Sequence, residues 1–280
     1  MPLPSPLHEL WTELPGELLG LLLPAPCAGC PTGRGRLCPS CRAALAGARP
    51  GPTAVAGVHA AAPYADPVRR LLLAHKERGA LHLAGPLGAA LAGAVRSALG
   101  PGGPGAPLLL VPVPSTRASV RARGHDPTLR LARAAARSLR RSGLPASVAP
   151  VLRHTRRVAD QSGLTAEARR RNLSGALAVP PRLGRRLARP SPDQASPDQT
   201  SPGQTSPDQA LPRQAAPGQA LPRQAAPWRL VLVDDLVTTG ASLAEAARAL
   251  AVAGAPPAAA ATVAAAVLRR APAPAARQPG

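Results

Sequence analysis

Residues 228–254, WRLVLVDDLVTTGASLAEAARALAVAG, constrain the fold of this chain more than any other stretch. A run of valines and leucines meets two adjacent aspartates, then two threonines, a glycine and a serine. Apolar residues at helical spacing follow and close at Gly254. That order spells strand, turn, helix. A continuous apolar strand feeding straight into a helix is the building unit of an open parallel sheet covered on both faces. In such sheets ligands gather at the carboxyl ends of the strands, which is where Asp234 and Asp235 are expected to sit.

The rest of the chain supplies further units of the same kind. Residues 53–64 (TAVAGVHAAAPY) read as a strand or hairpin, and 66–99 as two helices around Gly79. A Pro/Gly linker then leads into LLLVPVP (108–114), a short buried strand. DPTLRLARAAARSLR (126–140) opens with Asp126 as N-cap and Pro127 at the first helical position. ASVAPVLRHT (146–155) reads as a second strand, LSGALAVP (173–180) as a third, the WRLVLVDD segment as a fourth and AAATVAAAVLRR (259–270) as the last. Aromatics make up 1% of the chain and phenylalanine is absent. Any core must therefore be built from alanine, valine and leucine.

All four cysteines fall in CAGCPTGRGRLCPSC, as Cys27, Cys30, Cys38 and Cys41. Two C-x-x-C pairs let two tight turns present four thiolates to one tetrahedral Zn²⁺. Disulfides would call for an oxidising compartment, and a redox C-x-x-C would not need a second pair. Four cysteine ligands leave no open position for a catalytic water, so the expected metal is structural. The N-terminal residues Leu7, Leu10, Trp11, Leu14, Leu18 and Leu21 recur at helical spacing. They follow no basic segment, and no apolar run approaches the roughly 20 residues of a membrane span. A cytoplasmic protein without a membrane span is expected.

Residues 191–225 hold seven near-copies of a pentapeptide with proline second and glutamine fourth. Proline at every fifth position forbids helices and sheet ladders, so a disordered insertion is expected. The predicted organisation is an N-terminal helix and four-cysteine module over residues 1–50 and an α/β domain over 51–270. The domain is interrupted by the repeat at 189–227, and a disordered tail follows at 271–280.

The formal charge of +20 favours phosphate-bearing partners. A solvated basic surface and a nucleic-acid footprint both fit it, and only Trp11, Tyr64 and Trp228 offer stacking platforms. Of the 34 basic residues, Lys76 alone is a lysine, so single arginines carry little functional signal. The histidines His59, His75, His82, His125 and His154 have no carboxylate partner that the sequence assigns.

The acidic pair and its turn are more specific. The small residues Thr238, Thr239, Gly240, Ala241 and Ser242 let a phosphate approach the free N–H groups of a helix start. Carboxylates repel phosphate but accept hydrogen bonds from vicinal hydroxyls. Together they suit a phosphorylated sugar, with its 5-phosphate in the turn and its diol on the aspartates. A receiver domain would place such a pair near its start with an Asp and a Lys downstream, and neither follows Asp235. A phosphate-binding loop of the G-K-[ST] type would need a lysine that TGAS lacks.

VLVDDLVTTGAS resembles the phosphoribosyl-pyrophosphate (PRPP) motif of type I phosphoribosyltransferases. The four-cysteine knot, VPVP…RARGHD and RVADQSGLTAEARRRNLSGAL precede it in an order similar to that of the ComF family, competence-associated phosphoribosyltransferase-like proteins. The resemblance implies a type I phosphoribosyltransferase-like parallel sheet flanked by helices, with Asp234 and Asp235 on the ribose hydroxyls and residues 238–242 around the 5-phosphate. It also implies a pyrophosphate loop bearing Arg117, Arg121 and Arg123. A mobile loop would close over the reaction, with Arg156, Arg157, Gln161 and Arg171 as its candidates, and Mg²⁺ would bridge pyrophosphate and ribose oxygens. The chain departs from the family after RARG, where His125, Asp126 and Pro127 replace the usual aromatic and asparagine. Three functions follow as expectations: a PRPP-dependent transferase of unknown acceptor, a non-catalytic factor handling single-stranded DNA with the DNA-uptake machinery, or a ligand-responsive regulator. The sequence leaves the choice, the acceptor and the oligomeric state open.

Overall fold

The computed structural model describes residues 26–101, 106–156, 165–187 and 228–266. The expected N-terminal helix, pentapeptide repeat and C-terminal tail lie outside the described residues. So do Arg157 and Gln161 of the expected mobile loop.

Helix α1 (Pro39–Ala46) follows the cysteine segment. Strands β1 (Gly51–Pro52) and β2 (Val58–Pro63) form an antiparallel pair. Helices α2 (Val68–Glu77) and α3 (Ala84–Leu99) lead to β3 (Leu108–Pro112). Helices α4 (Arg117–Arg123) and α5 (Pro127–Arg141) lead to β4 (Ala146–Val148). Then come β5 (Arg153–His154), α6 (Ala166–Leu173), β6 (Leu177–Ala178) and α7 (Pro181–Leu187). The chain resumes with β7 (Arg229–Val237), α8 (Ala241–Val252) and β8 (Ala259–Ala265).

Six strands make one sheet in the order β1-β2-β8-β7-β3-β4, and every neighbouring pair except β1/β2 is parallel. Alternate residues face opposite sides, as strand geometry requires. Leu108, Leu110, Val231 and Val233 join the core under α2, α3 and α5. Leu109, Val111, Leu230 and Leu232 join the core under α7 and α8. The protein is thus a mixed α/β fold with a mostly parallel sheet flanked by helices, and a cysteine cluster near its N-terminus. No helix among the described residues is long and apolar enough to cross a membrane.

A core without large aromatics closes by bringing backbones together. At Gly88 of α3, an added Cβ would lie 2.9 Å from the backbone of Ala134 and Ala135 of α5. Small residues on both helices replace the bulk that phenylalanine supplies elsewhere.

Two expectations are corrected. The segment 146–155 is not one strand: β4 extends the main sheet, while β5 turns away. The segment 173–180 is not a third strand of that sheet, because β6 pairs with β5 in a separate two-stranded sheet. That small sheet is fastened to α8 by the buried Glu245 carboxylate, which accepts from the Leu177 N–H at 3.0 Å and pairs with Arg248 at 2.7 Å. Arg248 holds the Glu245 carboxyl below the usual carboxylate range. Helices α1, α4, α6 and α7 carry no clear sequence signal: each is short, with seven or eight residues.

The connections set the position of the site. From β3 the chain winds outward to β4; from its neighbour β7 it winds the other way to β8. The crevice beyond the carboxyl ends of β3 and β7 is the switch point where such sheets receive ligands.

Candidate functional site

Strand β3 ends at Pro112, opposite Val233, and the Val113 N–H makes the last bond across at 3.0 Å. Strand β7 runs on to Val237, paired there with β8. Asp234 and Asp235 therefore lie inside β7 rather than after it, but beyond the end of β3, where the sheet opens. A cleft of about 730 Å³ fills that opening. Asp234, Asp235, Thr238 and Ser242 line one wall; Ser115, Thr116, Ser119 and Arg123 line the other, with Lys76 and His154 at the sides.

The two aspartates occupy opposite faces of β7 and differ accordingly. Asp235 is 6% exposed, and its Oδ2 lies 2.7 Å from the Lys76 Nζ at the end of α2. Burial works against the Lys76 ammonium, but the Asp235 charge and hydrogen bond outweigh it and move the lysine above its ordinary pKa. The Asp234 Oδ1 accepts from the Asp235 N–H at 2.8 Å, which fixes its rotamer. Burial, and then the Asp235 charge, raise the Asp234 carboxyl well above its ordinary value despite Lys76. The site thus holds one carboxylate in an ion pair and a second that resists ionisation.

The turn after β7 is shaped by Gly240, whose φ of +76° is left-handed. A Cβ there would also lie 2.6 Å from Val55 in the β1–β2 loop. Gly240 offers α8 no side-chain cap; the Ala241 N–H reaches the Thr239 hydroxyl at 3.5 Å, which leaves the next N–H groups of the first turn for an anion. The Arg169 Nη1 of α6 donates to the Thr238 hydroxyl at 3.3 Å and lines the hollow over residues 238–242.

The other expected residues divide. Arg123 lines the cleft and is held by Glu77 through two bonds of 2.8 Å. Arg117 and Arg121 are exposed on α4. Arg156 donates to the carbonyls of Asn172 and Ser174, joining the end of β5 to the end of α6. Arg171 pairs with Glu167 on the surface, 73% exposed, away from the turn. Leu173 is buried at the end of the same helix, and Arg169 shares its face at i−4; that spacing marks Arg169, not Arg171, as inward. Lys76 was also missed, although a lone lysine in an arginine chain is a signal of its own.

Where the chain reads His125-Asp126-Pro127, Asp126 caps α5 through Leu129 N–H at 3.0 Å. The two ring nitrogens of His125 face the carbonyls of Arg123 and His75 at 3.0 and 3.3 Å. The loop is thereby tied to the end of α2, next to Lys76. His154 places Nε2 at 3.1 Å from the Pro114 carbonyl, and its buried Nδ1 has no partner among the described residues.

The cysteine segment forms a second site. The four sulfurs lie within 4.8 Å of one another, with Cys30 and Cys38 Sγ 3.7 Å apart. A Zn–S bond of about 2.3 Å puts tetrahedral sulfurs about 3.8 Å apart, whereas a disulfide needs about 2.05 Å. The Cys27 sulfur accepts N–H bonds from Gly29 and Cys38, both at 3.3 Å. A Cβ on Gly33 would lie 2.7 and 2.8 Å from the sulfurs of Cys38 and Cys30. Burial opposes the Cys27 thiolate, yet the backbone donors bring it down to about 6, while burial and the neighbouring sulfurs push Cys41 up. A structural metal such as zinc would remove that conflict by holding all four as thiolates. A hollow of about 820 Å³ beside this cluster has a single carboxylate, Asp66, already paired with Arg69 and Arg70. No protein-family model matches the chain, and no curated protein matches it.

Proposed function

We propose that the switch-point cleft binds PRPP or a related phosphosugar with Mg²⁺, as a ComF-like member of the type I phosphoribosyltransferases, and that the cysteine cluster holds a structural Zn²⁺. One observation carries this reading: a single strand–turn–helix unit presents two carboxyls and an uncapped helix start side by side, facing a wall of hydroxyls and Arg123. Carboxyls without a neighbouring anion cradle would suit a metal alone. A cradle without carboxyls would suit any phosphate.

In this reading Asp234 and Asp235 accept from the sugar hydroxyls, and the N–H groups and hydroxyls of 238–242 hold the 5-phosphate. Ser115, Thr116, Ser119 and Arg123 face the diphosphate. Displacement at the anomeric carbon passes through an oxocarbenium-like state, and the side chains contribute orientation and charge stabilisation rather than a covalent nucleophile. Mg²⁺ would neutralise the departing diphosphate. The transfer would deliver the phosphoribosyl group to a nitrogenous acceptor.

The test is calorimetric titration of the metal-loaded protein with PRPP and Mg²⁺, alongside the Asp234→Asn/Asp235→Asn variant. Saturable binding by the wild type, lost in a variant that keeps its metal and its cooperative unfolding, supports the pocket. Absence of binding by a folded wild type overturns it, and salt-dependent binding of single-stranded DNA then becomes the function to measure.

A further inference from the structure

Lys76 stands apart in composition and in place. It is the only lysine among 34 basic residues. It sits in the last turn of α2, yet its ammonium reaches across to β7 and meets the Asp235 carboxylate at 2.7 Å. Its side chain is 35% exposed, and what is exposed lines the cleft that Ser115, Thr116, Ser119 and Arg123 share. An ammonium has three donors and no acceptor. Asp235 is its one partner among the described residues, which leaves two donors for the cleft.

The neighbours aim those donors. Glu77, the next residue, is occupied by Arg123 through two bonds, so Arg123 is held at the cleft wall and Glu77 does not compete for Lys76. His125 ties the α4–α5 loop to the His75 carbonyl, one residue before Lys76. His75 itself is 1% exposed and packs its ring 5.8 Å from that of His125. The end of α2 is therefore fixed from both sides, and Asp235 holds the Lys76 ammonium at the cleft.

Resting on the phosphosugar reading above, we propose that Lys76 bridges the two halves of the ligand: it keeps Asp235 beside the sugar hydroxyls and gives its remaining donors to the diphosphate. The lysine is then a diphosphate-binding residue that the sugar site itself positions. An arginine is a poor substitute, because its planar fork is longer and does not fit a compact contact with a nearly buried carboxylate while donating sideways.

The experiment measures Mg²⁺-dependent binding of PRPP, ribose 5-phosphate and inorganic pyrophosphate to wild type, Lys76→Met and Lys76→Arg, each checked for cooperative unfolding. In Lys76→Met, affinity for PRPP and pyrophosphate should fall roughly 10- to 100-fold, the loss expected for a charge-assisted hydrogen bond to an anion. Ribose 5-phosphate, which lacks the diphosphate, should lose only what the freed Asp235 costs the sugar site, at least roughly threefold less than PRPP loses, so the preference for PRPP over ribose 5-phosphate narrows. Lys76→Arg should recover less than half of the lost preference, measured as log affinity. Equal losses for PRPP and ribose 5-phosphate would make Lys76 a structural counter-ion only and overturn the proposal. An unchanged preference would do the same. If wild type binds none of the three, the phosphosugar reading fails first and takes this one with it. A single-lysine chain allows an independent check, since Lys76 and the terminal α-amine are the amines that an acylating reagent can mark. Pyrophosphate should slow acylation of Lys76 and not of the N-terminus; equal rates with and without pyrophosphate would count against the contact.

Discussion

The cysteine cluster and the acidic cleft are both built from groups that a folding chain would rather leave in water, and they solve that problem in opposite ways. In the cluster the sulfurs converge on one another. Sulfurs receive backbone N–H bonds, and Gly33 leaves no room between them for a methyl group. The cleft lines open space with hydroxyls, Arg123 and Lys76, and its two carboxyls are adjacent to one another. On the proposed reading, a metal would complete the first arrangement and a ligand the second.

The largest expected effect breaks the first arrangement. Cys38 is one of the four sulfurs that could hold the metal, accepts the Cys41 N–H, and caps α1. Cys38→Ser should lose the metal. Metal binding in such modules supplies on the order of 10 kcal/mol of folding energy, so the N-terminal module should unfold as well. Metal analysis and thermal unfolding together check this; a zinc-loaded variant of unchanged stability would remove Cys38 from the ligand set. The comparison sharpens at α2, because a Cβ added at Gly29 would lie 3.2 Å from Leu71 of that helix, which also carries Lys76. The loosened module should weaken PRPP binding without touching the acidic pair.

Next in size is the turn. Gly240→Ala forces a β-carbon into a left-handed position and against Val55. A cost of about 1–3 kcal/mol is expected from the backbone alone, together with a large loss of affinity for ribose 5-phosphate as the anion cradle distorts. Chemical denaturation and titration read the two effects separately. A variant that binds ribose 5-phosphate as the wild type does would show that the cradle does not depend on this conformation.

The two sites also differ in how far the sequence announces them. The cysteines lie within one short segment at regular spacing, so four letters were enough to place them. The β7 strand, its turn and α8 were equally local, and the parallel sheet followed from their repetition. What the sequence hid is long-range. Lys76 and Asp235 are separated by most of the chain, and nothing in either neighbourhood names the other. Arg169 and Arg171 are indistinguishable as letters; only the phase of a helix of eight residues, with Leu173 inward, separates them. The segment 173–180 has the composition of a sheet strand, but its partner is β5 and not the main sheet. Short strands take their partners from tertiary packing, which composition does not record.

The smallest effect tests whether the cleft is maintained at the expense of stability. Asp234 has a carboxyl raised well above its ordinary value by burial and by Asp235. The folded protein thus retains a proton that the unfolded chain has already released, and stability falls as pH rises from the unfolded value towards the folded one. Asparagine resembles the protonated carboxyl and can still accept the Asp235 N–H through Oδ1. Asp234→Asn should therefore melt higher than wild type at pH 7, with the gain vanishing below about pH 4, where an ordinary aspartate is itself protonated. The Lys76 contribution has the opposite sign and another window. Its raised value makes the stability it lends present at neutral pH and lost only in the alkaline range, so it does not obscure the acid limb. Melting curves across pH decide the matter, and a variant less stable than wild type at pH 7 would mean that the ionised Asp234 is favourable in the fold. A variant more stable in the fold but poorer at binding PRPP would place the two sites on opposite sides of one trade: substitutions in the cluster would lose stability, and the one at Asp234 would gain it by giving up the ligand.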